Sequence, residues 1–351
     1  MKEFNVIGIM SGTSLDGIDI VYVNFKLDKN WKYELIHSNT YKYQKKWITQ
    51  LLNISQEKIN SIKKIDVEYT KLLSNLIIAF IDEFSIKDID FISSHGHTAL
   101  HQPSKSLTYQ IGNLPILAKY INQKVVCDFR VQDVELGGQG APLVPVGEKY
   151  LFPEYNTLIN LGGFANITKR IKNNIIAYDI CPINIVFNHL SRLMELEHDD
   201  GGYIASTGSI NEDLYNNLQS LSYYKQYPPK SLGIEWVNDQ IHPIIKYFQD
   251  VPIKDLMNTF SNHFAFQIAK NIGDQGKVLI TGGGAYNDYL IERIKNLTNS
   301  EITIPDPKII EYKEALIFSF LGLLRVLKIN NCYSSVTGSR QDHSSGKIYL
   351  P

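Results

Sequence analysis

Cysteine is scarce in this 351-residue chain: Cys127, Cys181 and Cys332 are far apart, odd in number and without a CxxC pair. Such a set argues against a disulfide framework and against a cysteine zinc site, and it fits a reducing cytosol. Net charge is missing as well, since 35 Lys and Arg against 36 Asp and Glu leave −1. A nucleic-acid or anionic-membrane surface is therefore not expected as the main partner. Long apolar runs are lacking too. The most apolar later stretch, Ala315 to Leu327, is too short to span a bilayer and contains Arg325. The opening MKEFNVIGIMSGTS places glycine, serine and threonine where a secretory apolar core would continue. A soluble, untargeted, cytoplasmic protein is expected, with no low-complexity linker inside it.

What is present is enough apolar residue, 44%, for two cores, and the length suits two domains of roughly 100–200 residues each. Phe4 to Met10 is an apolar run that reaches a glycine turn at Ser11-Gly12-Thr13-Ser14 and returns through Ile18 to Phe25. Thr157 to Leu161 does the same at Gly162-Gly163, returning through Phe164 to Thr168, with a third β-rich segment at Ile175 to Tyr178. The pattern predicts a strand hairpin written twice. Further strands are expected at Tyr33 to Tyr43, Phe91 to Ser93, Val125 to Phe129 and Val278 to Ile280. Helical spacing is read around Leu72 to Phe80, Ile185 to Leu193, Asn211 to Leu221, Asp255 to Ile272, from Asn287 onward, and from Ala315 to Leu324. The fold class is mixed α/β in two lobes about a central cleft, with a boundary near Lys149 to Asn156 where Pro153 breaks the pattern. The lobes are set at residues 1–150 and 151–351.

Three glycine-rich turns follow apolar strands: Ser11 to Gly17, Leu161 to Thr168 and Thr281 to Ala285. Glycine lets backbone N–H groups approach a phosphate, although a single such turn is more often an ordinary hairpin. None matches GxxxxGK[ST] or GxGxxG, which disfavours the P-loop and Rossmann readings. Taken together, the duplicated hairpins and the later GGG turn resemble the actin, Hsp70 and sugar-kinase superfamily, with duplicated βββαβα halves. More narrowly, GIMSGTSLDGID (Gly8 to Asp19) resembles the opening of the anhydro-N-acetylmuramic acid kinases. The likeness continues in SHGHTALHQP (Ser94 to Pro103), QIGN (Gln110 to Asn113), VVCDFRVQDVELGGQGAPLVP (Val125 to Pro145), LGGFANIT (Leu161 to Thr168), PPKSLG (Pro228 to Gly233) and SVTG (Ser335 to Gly338).

The resemblance implies an ATP- and Mg2+-dependent enzyme that opens a 1,6-anhydro amino sugar with water and phosphorylates its O6, a small-molecule reaction of peptidoglycan recycling. Gly12, Thr13, Ser14, Leu15, Asp16, Gly17, Ile18 and Asp19 would bound the phosphates on one side and Gly162, Gly163 and Asn166 on the other, with Gly282, Gly283 and Gly284 against the adenosine. Asp16 would hold the metal, or else is an Asx-turn residue. Asp179 would activate water, or else caps the helix entering at Asn184. Arg130 offers a planar fork for a lactyl carboxylate, and Asp128 either reads the sugar or closes a strand end as a salt bridge. His95, His97 and His101 lack an acidic or cysteine partner at a familiar spacing, so sugar contact or ordinary loop roles rank above zinc, with His95 and His97 the substrate candidates. Glu314 is read first as a helix-start carboxylate favoured by the dipole, and otherwise as a cleft residue.

The chain departs from the family pattern in three places: Ile183 where small glycines are usual, His97 in place of a glutamine, and Ile234 in place of an arginine. These leave the nucleotide turns untouched and bear on the sugar. Two other readings stay open, a non-cleaving amino-sugar kinase and a nucleotide-gated binding protein of the Hsp70 or actin kind, and so does a homodimer.

Overall fold

The structure, a computed structural model, describes residues 2–12, 14–172, 174–274 and 276–351. It divides into two units, residues 1–153 with 312–351, and residues 154–311. In the first unit the strands are β1 (Lys2–Met10), β2 (Ile18–Leu27), β3 (Trp31–Tyr41), β4 (Phe91–Ser94), β5 (His97–Gln102), β6 (Leu107–Ile111) and β7 (Val125–Cys127). The second unit holds β8 (Thr157–Leu161), β9 (Phe164–Ile171), β10 (Asn174–Pro182), β11 (Lys277–Thr281) and β12 (Glu301–Thr303), and β13 (Lys347–Tyr349) returns to the first.

The duplication read from the two hairpins is present in the pairing. The first sheet runs β13-β7-β4-β1-β2-β3 and the second β10-β9-β8-β11-β12. In each, an antiparallel meander (β1-β2-β3, β8-β9-β10) is joined through its first strand to two parallel strands, β4 and β7 or β11 and β12. Parallel neighbours need crossovers, and the helix Ile59–Glu83 lies in one of them. Its apolar residues Ile62, Ile65, Tyr69, Leu73, Ile77 and Phe80 recur every three or four positions and are all buried. In the second unit the helix Ile253–Ile272 buries Leu256, Phe260, Phe264 and Ile268 on the same spacing.

Two expectations change, and one element is added. Residues 312–351 were assigned to the second lobe by sequence, yet they pack with the first unit. Strand β13 pairs antiparallel with β7, and the helix Pro307–Val326 buries Ala315 to Phe318 and Phe320 to Leu324, Gly322 among them, in that unit. The same helix begins at Pro307, not near Ala315, so Glu314 is interior to it and the helix-start explanation for that carboxylate lapses. The hairpin β5-β6 was not read at all, because its short alternation is broken by a register shift between Thr98 and Leu100.

Glycine sets how closely the helix Pro307–Val326 approaches the first sheet. A Cβ on Gly8 of β1 would run into the Ala315 carbonyl oxygen and the Ser319 Cβ, and one on Gly322 would meet Ser93 of β4. Ser93 Oγ also donates to the Phe318 carbonyl at 2.6 Å, a buried bond that fixes the register of helix on strand. Gly8→Ala is therefore expected to destabilise the protein by about 1–3 kcal/mol in urea unfolding, the usual scale of overpacking. Gly163→Ala, where an added Cβ meets nothing within 4 Å, should leave the urea midpoint almost unchanged.

Candidate functional site

In the first unit the loop from Ser11 to Gly17 links β1 to β2, and it is clamped at its first residue. Ser11 Oγ is buried and lies 2.6 Å from Tyr43 Oη, 3.0 Å from Tyr69 Oη and 3.0 Å from His97 Nδ1. Burial pushes His97 down to about 4 and both tyrosines up, so the network is uncharged at neutral pH. His97 thus holds the loop, and the departure from glutamine at this position is taken up there. Farther along, Ser14 Oγ donates to Asp16 Oδ1 at 2.8 Å, and both side chains are exposed. Leu15, at φ 60°, is buried in the core, as is Ile18. Gly17 is glycine because a Cβ would press on Thr40 and on the Tyr41 carbonyl. Asp19 Oδ1 accepts from Thr40 Oγ1 at 2.7 Å. Of this turn, then, Ser14 and Asp16 face outward and Gly12 is half-buried, whereas Leu15, Gly17 and Ile18 are packing residues; Thr13 lies outside the described residues.

Strand β4 delivers His95, whose N–H donates to the Ile9 carbonyl. Its Nδ1 is 2.8 Å from the Gly96 carbonyl and its Nε2 accepts from Arg130 Nε at 2.9 Å, which assigns the proton to Nδ1. Burial, with Arg130 adding to it, holds His95 well below the ordinary histidine range. Arg130 Nη1 donates to the Gly140 carbonyl at 2.7 Å, and both His95 and Arg130 rest on the Phe318 ring. Among the described residues Arg130 has no ion-pair partner, only neutral acceptors. Glu314 acts on it electrostatically, and the carboxyl of Glu314 is itself raised by desolvation although its side chain reaches solvent. Asp128 is committed elsewhere: it pairs with Lys347 Nζ at 2.9 Å and accepts from Asn113 Nδ2 at 3.3 Å, closing the β7 and β13 ends as its salt-bridge reading required. His101 bonds Thr108 across the β5-β6 hairpin. The three histidines therefore take separate partners and form no common ligand set.

The second unit carries the other two glycine turns. The Gly163 carbonyl accepts from Ile183 N at 2.8 Å and that of Gly162 from Asn184 N at 3.3 Å, so this turn docks on the start of the helix Asn184–Arg192. Among the described residues the N–H groups of Gly162 and Gly163 donate to no protein acceptor. Gly282 and Gly284 are packed against Leu161, where a Cβ has no room, while Gly283 is exposed with no contact closer than 3.7 Å for an added Cβ. Asn184 spans both turns, donating to the Leu161 carbonyl at 3.2 Å beside Gly283 and Gly284. Ile183 is fully buried in the core of this unit, so its bulk repacks a wall and does not fill an opening, and Ile234 is exposed.

Asp179 lies within β10 rather than just beyond a strand, since pairing continues to Pro182 with a register shift between Asp179 and Cys181. A bulge of this kind re-aims the flanking side chains. Its Oδ2 accepts from Leu232 N at 2.9 Å, its carbonyl takes the Tyr223 hydroxyl at 2.7 Å, and its N–H faces the Lys230 carbonyl at 3.3 Å. The cap reading fails, because the helix Asn184–Arg192 is preceded by Ile183 with no side-chain cap. Desolvation raises the Asp179 carboxyl, opposed by the Leu232 bond, and among the described residues Oδ1 has no partner. Register places Thr281, Asn160, Asn166 and Asp179 opposite one another on adjacent strands, a polar row that leads to the carboxylate. Asn160 and Asn184 were not singled out by sequence, nor were Tyr43 and Tyr69. An asparagine between apolar strand residues, Ile159-Asn160-Leu161, is the one signal that could have marked the first.

No helix among the described residues is long and apolar enough to cross a membrane. The sequence model of the family described as anhydro-N-acetylmuramic acid kinase matches residues 4–351. An anhydro-N-acetylmuramic acid kinase of Bacillus cereus is 32% identical, with 99% of each chain covered, and one of Sulfurimonas denitrificans is 32% identical over 99% of this chain and 100% of its own. Among solved structures, component A of (R)-2-hydroxyglutaryl-CoA dehydratase from Acidaminococcus fermentans aligns at 13% identity and TM-score 0.48, covering 90% of this chain and 96% of its own. With the family match running through both glycine-turn units and the relatives aligned end to end, the chain belongs to the anhydro-N-acetylmuramic acid kinase family, enzymes that phosphorylate an amino sugar.

Proposed function

We propose that this enzyme uses ATP to convert 1,6-anhydro-N-acetylmuramic acid to N-acetylmuramic acid 6-phosphate, opening the anhydro bridge with water as it transfers the phosphoryl group. The observation that carries the reading is the Asp179 carboxylate, with one oxygen fixed by the Leu232 N–H and the other unpartnered at a strand bulge. A plain kinase needs a base on the acceptor hydroxyl. Here the acceptor is released by bond cleavage instead, and the base is needed for water. Water adds at C1, its proton passes to Asp179, the C1–O6 bond breaks, and O6 takes the γ-phosphoryl group while ADP leaves.

The remaining residues suit such a substrate pair. The unspent N–H groups of Gly162 and Gly163, half-buried Gly12, and exposed Ser14 and Gly283 are available to a nucleotide's phosphates and nucleoside, and Asn166 stands beside Asp179 in register. Asp16 presents an exposed carboxylate next to the Ser14 hydroxyl, a hard oxygen donor fit for Mg2+, which would neutralise charge on phosphate oxygens when bound. Arg130, half-buried against neutral acceptors, keeps a positive charge for which the lactyl carboxylate is the chemical match. His95 supports that charge rather than touching sugar, and Asp128 does the same for the strand end. A nucleotide-dependent enzyme with three free cysteines suits a reducing, ATP-containing cytoplasm.

Asp179→Asn should lower kcat by about 10²–10⁴-fold, because the amide keeps the Leu232 bond and cannot accept a proton. Its stability should not fall. A carboxyl whose folded pKa is raised above its ordinary 3.8 adds stability only at low pH and loses it as pH rises, so at neutral pH the ionised form is a burden the amide removes. Thermal melts at neutral pH should show Asp179→Asn at or above wild type, and the acid limb of the wild-type kcat profile should lie above the ordinary aspartate value. A variant within a few-fold of wild-type turnover would end the assignment.

The order of bond events has its own test. In heavy-oxygen water, quenched before the open-chain product exchanges, mass spectrometry should find the label on C1 of the sugar phosphate and none in the transferred phosphoryl group. Product formed only from the reducing sugar would identify a non-cleaving kinase.

A further inference from the structure

Next to Arg130, and joined to it through Gly140, three side chains converge inside the first unit. Asp133, Cys332 and His343 are buried, and their ligand atoms all lie within 4.8 Å of one another. Cys332 Sγ is 3.0 Å from Asp133 Oδ1, and His343 Nε2 is 3.7 Å from the same oxygen. We propose that Asp133, Cys332 and His343 are the protein ligands of one divalent cation of the zinc class, bound as a structural ion.

The imidazole is the group that asks for an ion. His343 Nδ1 sits 3.1 Å from the Gln341 carbonyl, which assigns its proton to Nδ1 and leaves Nε2 with a bare lone pair. That nitrogen is buried, has no hydrogen-bond partner and faces a carboxylate oxygen, while the side chains of His343 and Asp133 are 4% and 0% exposed. A buried imidazole nitrogen with no donor, set beside a carboxylate oxygen that already accepts from Cys332 and Thr337, is unfavourable unless something positive stands between them. An imidazole with Nδ1 on a backbone carbonyl and Nε2 directed inward is also the arrangement in which a metal-bound histidine is held.

Distances and charge agree with that ion. Zinc bonds of about 2.0–2.3 Å at tetrahedral angles separate ligand atoms by about 3.2–3.7 Å; the observed 3.7 Å is at the upper end of that interval, and the 3.0 Å between Cys332 Sγ and Asp133 Oδ1, a hydrogen-bond distance, would widen by a few tenths of an ångström as the ion replaces the thiol proton. A thiolate, a carboxylate and a neutral imidazole together carry −2, so a divalent ion leaves the cluster neutral, as a buried site requires. Sulfur with nitrogen selects the zinc class over magnesium or calcium. Binding breaks the Cys332 S–H bond, releases that proton to solvent and forms a metal–sulfur bond, with no change of oxidation state.

The surroundings are those of a built site. Cys332 and His343 face each other in an antiparallel bridge, each N–H donating to the other's carbonyl, which sets both side chains on one side. Asp133 Oδ2 is held by Gly140 N at 2.7 Å and Oδ1 by Thr337 Oγ1 at 2.7 Å. Thr337 Oγ1, 3.9 Å from Sγ, or a water would complete four-coordination. The ion would bind the segment from Asn331 to Ser345 to the helix Val131–Glu135, beside the Gly140 carbonyl that anchors Arg130.

The test uses the full-length reduced protein, freed of metal by a chelator and titrated with cobalt(II) and then zinc. One equivalent of cobalt should give a thiolate-to-metal charge-transfer band with tetrahedral visible bands, zinc should displace it, and either metal should raise the melting temperature. Cys332→Ser should abolish the charge-transfer band and His343→Gln should weaken cobalt binding at least about 10-fold, the lower end of what losing even an outer-shell partner costs. Cys181→Ala, whose thiol lies in the other unit, should keep the band. A wild-type protein that gives no thiolate band would overturn the proposal without any variant, and so would a band that survives in folded Cys332→Ser.

Discussion

A helix comes within glycine distance of a sheet only where both surfaces give up side chains, and Gly8 of β1 and Gly322 of the helix Pro307–Val326 do so. Much of the first unit's candidate site follows from that approach. Phe318 is brought beneath His95 and Arg130, so the arginine rests on an aromatic face and points its Nε at an imidazole that burial keeps neutral. Lys313 on the same helix pairs with Glu148 at 3.0 Å, both nearly inaccessible. Removing either partner of such a pair strands a buried charge, at a cost of about 3–5 kcal/mol, which makes this contact a register lock for the helix. Arg130 is thus fixed by a segment almost two hundred residues away in the chain.

The separation explains which parts were legible beforehand. Hairpins at Phe4–Phe25 and Thr157–Thr168, the helix bearing Leu256, Phe260, Phe264 and Ile268, and Asp179 as a carboxylate of interest could be read because periodicity and turn chemistry are local. Periodicity reports that a segment has a face to bury but not which surface covers it. That is why residues 312–351 were placed with the wrong half by sequence, and why Glu314 was read at a helix start that lies seven residues earlier. Residues whose role depends on a distant partner, such as Tyr43 and Tyr69 on Ser11, carry no signal of their own. Asp133, Cys332 and His343 are the extreme case: a search for close cysteine spacings passes over a cluster whose first two members are 199 positions apart.

Asp179 shows a different limit. Sequence named the residue and misjudged its setting, because a bulge cannot be seen in an apolar alternation. Had β10 ended at Tyr178, the carboxylate would have been free to cap the following helix. Pairing through Pro182 instead holds its backbone in the sheet while Leu232 and Tyr223, on either side of Pro228-Pro229, grip one side-chain oxygen and the carbonyl. A carboxylate with one oxygen fixed and one open keeps its aim without being neutralised, and burial raises its affinity for a proton. Both properties suit a base for water better than a ligand for a metal, which would favour two open oxygens and a lowered pKa.

The two units meet the same demand, a rigid loop with outward donors, by unlike chemistry. In the first, an eight-position span between Met10 and Asp19 is too long to be stiff by itself, and side chains supply the rigidity: Ser11 is enclosed by two tyrosines and a histidine, Leu15 is sunk in the core, and Gly17 admits β3. In the second, the loop between Leu161 and Ala165 is short, and backbone does the work, its two glycine carbonyls turned onto the N–H groups that open the helix Asn184–Arg192. Turning a carbonyl inward turns the adjoining N–H outward, so the bond that anchors this loop is also what leaves its donors unspent. The first loop, built on side chains, can carry a carboxylate such as Asp16 at its tip; the second, built on backbone, carries only dipoles. Each unit thus presents a stiff loop with a different outward group, a carboxylate in the first and N–H dipoles in the second, and the difference follows from loop length.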